Sequence, residues 1–233
     1  HLLALINQIL DLSKIESGRF DLDLRSFSTK GLIDEVIGLH NIVANEKGLV
    51  LKSQISKNVP EYLIGDDFRL KQVLSNLVSN ALKFTRKGEV KVNVFAISEE
   101  KNKHRIKFEV IDSGIGISEE KLDRLFKEYS QVDSSIGRDF GGTGLGLTIA
   151  KGIVSKMDGK IGVESELGKG STFWFIVDLK EGKGDNSRSG VPSDKMEQAK
   201  SEKNIASESK LNNKKVGRKS NKLAILLAED NPI

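Results

Sequence analysis

The chain contains no cysteine, which excludes disulfides and thiolate metal sites. Histidine is nearly as scarce: three scattered residues do not suggest a zinc centre. No apolar run approaches the ~20 residues of a membrane span, and no signal-peptide pattern opens the chain. The fold must therefore stand on its own hydrophobic core. The 233 residues allow this, because about 150 ordered residues already bury some two-thirds of their unfolded surface. The lack of cysteine is compatible with the cytoplasm, and no membrane contact is expected of this stretch.

A basic balance is present but unevenly placed. Twelve Lys/Arg against six Asp/Glu fall between Lys180 and Lys222, a net of +6, so the remainder of a +4 chain carries −2. The basic excess thus sits in a stretch rich in Lys, Ser, Asn and Gly with few large apolar residues, which reads as a disordered linker over 181–222. A nucleic-acid footprint needs a basic face on the folded part, so no nucleic-acid partner is expected.

Along the chain, Leu2, Leu5, Ile6, Ile9, Leu12 and Ile15 recur at helical spacing, predicting an amphipathic helix over 1–17 that stops at Gly18. Phe20, Leu22 and Leu24 alternate with charged residues, a strand signal. Ser28 or Thr29 caps a helix through Leu32, Val36, Leu39, Ile42 and Val43 to about Glu46. A strand over 49–55 follows. Asp66 and Asp67 then open a helix carrying Leu70, Val73, Leu74, Leu77, Val78 and Ala81 on one face. Strands over 89–96 and 105–111 flank a charged turn at 99–104. Ser118 caps a short helix through Leu122, Leu125 and Phe126. A polar, glycine-bearing loop fills 129–142, a helix runs to Met157, and strands over 160–165 and 171–179 turn at Gly168-Lys169-Gly170. Leu223–Ala228 resumes as a buried-type strand ending in Glu229-Asp230.

Chemistry concentrates in a few places. Gly141-Gly142-Thr143-Gly144-Leu145-Gly146-Leu147 puts glycines before a helix, whose N-terminus is a ready anion site. Asn76, Asn80 and Lys83 fall near one another on a helix face. Two asparagines within a good helix cost propensity, so a further role is indicated. Asp112-Ser113-Gly114-Ile115-Gly116 is a strand running into a glycine turn led by a carboxylate.

In fixed order, Asn76…Asn80-Ala81…Lys83-Phe84, Asp112–Gly116, Phe126…Tyr129 and Gly141–Leu147 resemble the asparagine, first glycine, phenylalanine and second glycine boxes of the histidine kinase catalytic domain. That domain is a branch of the GHKL ATP-binding superfamily. Gly168–Phe173 resembles the further glycine box near its end, and the likeness spans about 20–180. Asp11–Glu16 resembles the end of the second dimerisation helix (1–18), and Leu226–Asn231 the first strand of a receiver domain (223–233). This layout is similar to a hybrid sensor histidine kinase.

The resemblance implies an α/β fold of the α+β kind: a two-layer sandwich of a mixed β-sheet with helices on one face, preceded by one long helix. It also implies ATP and Mg²⁺ as cofactors. Asp112 would accept the adenine amino group; a guanine would leave that carboxylate unpaired, at a cost on the order of 1–3 kcal/mol. Gly114 and Gly116 would let the turn pass beside the nucleotide, and Phe84 would pack near it or in the core. Asn80 would hold Mg²⁺ through its amide oxygen, and Lys83 would reach a phosphate. Thr143, Gly144, Leu145 and Gly146 would offer backbone N–H groups to the phosphates. Arg138 would neutralise the transferred group, with a solvated loop cation as the rival reading. Phe126 would anchor the lid. Glu229 and Asp230 would hold Mg²⁺ in a receiver.

The activity implied is transfer of the ATP γ-phosphoryl to a histidine on a dimerisation helix, in a homodimer that passes it on to a receiver or response regulator. His1, His40 and His104 lack the context of that acceptor; His40 reads as a helix-surface residue and His104 as a turn residue. This chain alone is therefore expected to bind Mg–ATP without phosphorylating itself. Asn76 stands where ATP-hydrolysing branches carry a glutamate, and an amide is no general base. An ATP-hydrolysing module of the same fold, or a catalytically degenerate dimerising scaffold, remain the alternatives.

Overall fold

In the computed structural model, residues 2–17, 20–100, 103–122, 125 and 145–184 are described. The elements are α1 (Leu2–Glu16), β1 (Arg25–Ser28), α2 (Thr29–Glu46), β2 (Val50–Ile55), β3 (Tyr62–Gly65) and α3 (Asp67–Phe84). They continue with β4 (Glu89–Glu100), β5 (Lys103–Asp112), α4 (Glu119–Leu122), α5 (Leu145–Lys156), β6 (Lys160–Glu166) and β7 (Gly170–Glu181).

The seven strands form one mixed sheet in the order β1-β3-β7-β5-β4-β2, with β6 pairing β7 beside that path. β7 is the hub. One edge of it pairs with β5 from Asp112↔Ser171 to Lys103↔Lys180. Its other edge is divided between β6 and, further along, β3. All ladders are antiparallel except β2–β4; that parallel pair needs a crossover, which β3 and α3 supply.

Period-2 alternation decides which face is buried. Val90, Val92 and Val94, Ile106, Phe108 and Val110, and Phe173, Phe175 and Val177 all point to the same side and are nearly inaccessible. Phe108 stacks on Phe175 with ring centroids 4.7 Å apart, a cross-strand aromatic pair at the centre of the core. The buried stripe of α3 (Leu70, Val73, Leu74, Leu77, Val78 and Ala81) covers this face, joined by Ile149, Ile153 and Val154 of α5 and by Leu32, Ile33 and Val36 of α2. On the opposite face Lys107 Nζ lies 5.6 Å from the Phe95 ring and 5.3 Å from the Trp174 ring, while pairing with Glu109 at 2.7 Å.

Both long caps form as expected. Ser28 accepts from Gly31 N–H at the start of α2, and Asp66 accepts from Arg69 N–H at the start of α3. α1 lies against α5, with Ile15 on Gly152. It is also tied to α3, where Arg69 and Gln72 both donate to Asp11 Oδ2, at 3.1 and 2.8 Å.

Several local expectations are corrected. Residues 20–24 form no strand, although the alternation suggested one; Phe20 is buried under the Arg69 guanidinium, and Asp23 N–H donates to Asp66 instead of a ladder. On α2 the inward stripe is Leu32, Ile33, Val36 and Ala44, whereas Leu39, Ile42 and Val43 are exposed. The β4–β5 hairpin runs further than expected, to Glu100 and Lys103, and absorbs a bulge between Ala96 and Ser98. His40 is half-buried rather than a surface residue. His104 is no turn residue: it lies in β5 with its side chain 6% exposed, its Nε2 3.7 Å from a Glu181 carboxylate oxygen. β3 had no counterpart in the sequence reading. Gly182 N–H donates to Tyr62 O, and Ser26 Oγ to Lys183 O, so the first residues of the expected linker are pinned to the sheet edge. The rest of that linker, and the receiver-like strand over 223–233, lie outside the described residues.

Candidate functional site

At the end of β5, Asp112 is 6% exposed and its Oδ1 accepts the Gly114 N–H at 2.8 Å, closing a turn on itself. Burial pushes its carboxyl above the ordinary 3.8; hydrogen bonds from Gly114 N–H and from the Ser171 backbone and hydroxyl draw it part of the way back. The group is a desolvated acceptor with capacity left for a donor.

The turn it leads is pressed against two neighbours. A Cβ at Gly114 would stand 2.6 Å from the carbonyl oxygen of Phe84, so only glycine lets the loop meet the end of α3. Gly116, at φ +66°, brings its α-carbon against the β6–β7 turn, where a Cβ would lie 2.0 Å from Glu166 O. Gly168 N–H donates to Ile115 O at 2.7 Å and Ile117 N–H to Ser165 Oγ at 2.8 Å. An open cavity of about 360 Å³ lies at this end of the sheet, lined by Asp112, Glu164, Ser165, Lys169, Ser171 and Thr172 among others.

α3 carries the second part. Its C-terminal turn touches the Asp112 loop, with Ile115 N–H donating to Phe84 O at 3.4 Å. Two turns earlier, Asn76 Nδ2 donates to Gly146 O at 3.2 Å, at the start of α5. Between them stands half-buried Asn80. Eight residues of helix separate Asn76 from Phe84, about 12 Å of axial rise. One helix therefore strings together the carboxylate loop, a central amide and the positive end of the α5 dipole.

Lys83 lies 5.0 Å from the Phe84 ring centre; burial lowers its ammonium pKa, assisted by the nearby Lys47 charge. Leu145 opens α5 and is buried. The structure thus sets Asn76, Asn80, Lys83 and Phe84 along α3, which meets the Asp112–Gly116 loop at its C-terminal turn and Gly146, next to Leu145, two turns earlier. Arg138, Thr143, Gly144, Phe126, Glu229 and Asp230 lie outside the described residues.

Ser165 and Ser171 were missed as site residues. For Ser171 the signal was present in the glycine-turn motif at 168–173, whose hydroxyl-bearing end the register places opposite Asp112; Ser165 lies outside that motif and is brought in only by the β6–β7 register.

The structure is thus a two-layer protein whose sheet presents a buried carboxylate at one strand end, backed by a helix that bears amides and meets the start of a second helix. The chain belongs to the histidine kinase-, DNA gyrase B- and HSP90-like ATPase family, whose model matches residues 65–181. Among curated relatives it is 42% identical to the sensor histidine kinase GacS of Pseudomonas protegens over 178 residues, 76% of this chain and 19% of that protein. It is likewise 42% identical to the signal transduction histidine-protein kinase BarA of Escherichia coli over 179 residues, 77% of this chain and 20% of the relative. The chain thus spans about a fifth of the length of these proteins. Among solved structures, full-length ShkA in complex with AMPPNP matches with a TM-score of 0.69 at 31% identity, covering 79% of this chain and 37% of that one. The catalytic domain of histidine kinase ThkA matches at 0.54 and 27% identity, covering 68% and 96%. Among the described residues, no helix is long and apolar enough to cross a membrane.

Proposed function

We propose that this chain is the ATP-binding catalytic part of a hybrid sensor histidine kinase, which passes the γ-phosphoryl of ATP to a histidine on a dimerisation helix. The observation that carries the reading is the contact line along α3, with the buried Asp112 loop at one end and the start of α5 at the other. Asp112 accepts the adenine amino group, Lys83 supplies a cation toward the phosphates, and the α5 dipole favours their negative charge. ShkA, a structural neighbour, was solved with the ATP analogue AMPPNP, which supports the same ligand class here.

Magnesium fits as an ion delivered with the nucleotide. Among the described residues no three acidic or histidine side chains cluster to hold a metal, whereas Asn80 offers a neutral amide oxygen of the kind that complements phosphate ligands. In the role proposed, the ion neutralises phosphate charge.

Asn76 separates this reading from an ATP-hydrolysing one. Its amide donates to Gly146 O, a bond no carboxylate could make, and it cannot take a proton from water. The acceptor histidine, the homodimer built through α1, the receiver partner and the roles of Arg138, Thr143, Gly144, Glu229 and Asp230 belong to the same proposal. So does a cytoplasmic location for the catalytic part.

Calorimetric titration tests it. Mg–ATP binds the chain, Mg–GTP binds at least about tenfold more weakly, and labelled ATP leaves no acid-labile label on His1, His40 or His104. Absence of ATP binding, or rapid ATP turnover, would overturn the reading.

A further inference from the structure

Three residues stand side by side across three strands: Asp112 on β5 faces Ser171 on β7, and Ser171 faces Ser165 on β6. Ser165 Oγ has three partners. It accepts from Ile117 N–H at 2.8 Å, and it lies 2.9 Å from both Gly170 O and Ser171 Oγ.

A serine hydroxyl carries a single proton, and a carbonyl oxygen only accepts. If Ser165 donates to Gly170 O, the Ser165–Ser171 contact requires Ser171 to donate, and Ser171 has nothing left for Asp112. If Ser165 donates to Ser171 Oγ, the Ser171 proton is released toward the carboxylate. An ionised Asp112 favours the second arrangement, because a hydrogen bond to a charged acceptor is about twice as strong as a neutral one. Ser165 therefore governs the direction of the pair. Its bond to Ile117 N–H also holds the far end of the Asp112–Ile117 loop, beside the Gly168 N–H to Ile115 O contact.

We propose that Ser165, on the β6–β7 hairpin, is the positioning residue of the adenine pocket: its hydroxyl orients Ser171 toward Asp112 and ties the glycine loop to the sheet. This rests on the ATP-binding reading above. Ser165 acts on the exocyclic amino contact, so its influence depends on whether the base carries that group.

The test compares Mg–ATP with Mg–purine riboside triphosphate, which lacks the 6-amino group, by calorimetry on the full chain. In Ser165→Ala, ATP affinity falls about tenfold, while the analogue weakens by less than about twofold. Ser165→Thr, which keeps the hydroxyl, restores ATP binding. Thermal melts accompany each variant; should Ser165→Ala unfold at the assay temperature, Ser165→Cys, of similar volume with a weak donor, takes its place under the same expectation. Equal weakening of both nucleotides, unchanged ATP affinity, or failure of Ser165→Thr to restore it overturns the proposal while leaving the site intact. Failure of the unsubstituted chain to bind ATP overturns the site and this inference with it.

Discussion

Asp66 does two jobs with one carboxylate, and removing it should cost a sum that can be worked out in advance. It is 4% exposed; Oδ1 accepts from Arg69 N–H and Oδ2 from Asp23 N–H, each at 3.0 Å. The first bond caps α3, and loss of such a cap costs about 1 kcal/mol. The second holds the connection between α1 and β1; Asp23 is itself exposed, so water partly replaces the lost acceptor and about 1 kcal/mol, the low end of the range, applies. Asp66→Ala should thus lose about 2 kcal/mol, which in a domain of this size lowers Tm by roughly 4–8 °C. Asp66→Asn keeps one acceptor oxygen and should fall between the two. Urea and thermal denaturation measure the series. ATP affinity of the folded variants should stay unchanged, because Asp66 lies fourteen residues, about 21 Å of helix, before Asn80. Equal stability of Asp66→Asn and Asp66→Ala would refute the two-bond reasoning, as would a total loss below about 0.5 kcal/mol.

Asp112 should leave a pH signature of the opposite sign to a salt-bridged acid. Its folded pKa is raised above 3.8 by burial, so its contribution is full below the unfolded value and lost as pH rises through the folded one. Asp112→Asn should therefore gain stability over the parent as pH rises from about 4 toward neutrality, while losing the preference for ATP; urea midpoints across that range check it. Gly116→Ala forces a Cβ into φ +66° and to within 2.0 Å of Glu166 O. It should destabilise by at least about 1–2 kcal/mol and weaken ATP binding, read by melting and titration.

The helices were legible because their apolar period and their caps agree, and α3 shows this best: Asp66, the stripe from Leu70 to Ala81 and the paired asparagines all stand where the pattern placed them. α2 shows the limit of that signal. Its period was right, but the helix carries two apolar stripes, and sequence alone does not reveal which one meets a sheet. The structure buries Leu32, Ile33 and Val36 and leaves Leu39, Ile42 and Val43 in solvent. The Phe20–Leu24 alternation failed for a different reason. Side-chain partners from α3, the Arg69 guanidinium over Phe20 and Asp66 on Asp23 N–H, compete with strand pairing there. β3 is four residues long and exists because the far end of β7 offers it an edge, a tertiary cause with no local trace. The site followed the same division. Asp112 and the α3 amides were visible as chemistry in a pattern, whereas Ser165 is an ordinary strand serine until the register sets it opposite Ser171.

That division explains how the fold positions its nucleotide site. The end holding Asp112 is rigid by construction: three strand ends, a hairpin turn and the tip of α3 fix it through backbone contacts that leave no room for a Cβ at Gly114 or Gly116. At the other end, Asn76 donates a hydrogen bond to Gly146 O at the start of α5, and Leu145, Ile149 and Ile153 of that helix are buried in the same core as the α3 stripe. On the proposed reading the first end takes the base, and α3 spaces it from the start of α5, where the phosphates would lie. A glutamate at position 76 could not make that bond. On the proposed reading, a residue that would suit water activation is thus incompatible with the Asn76–Gly146 hydrogen bond, and hydrolysis and that bond are alternative uses of the same helical turn.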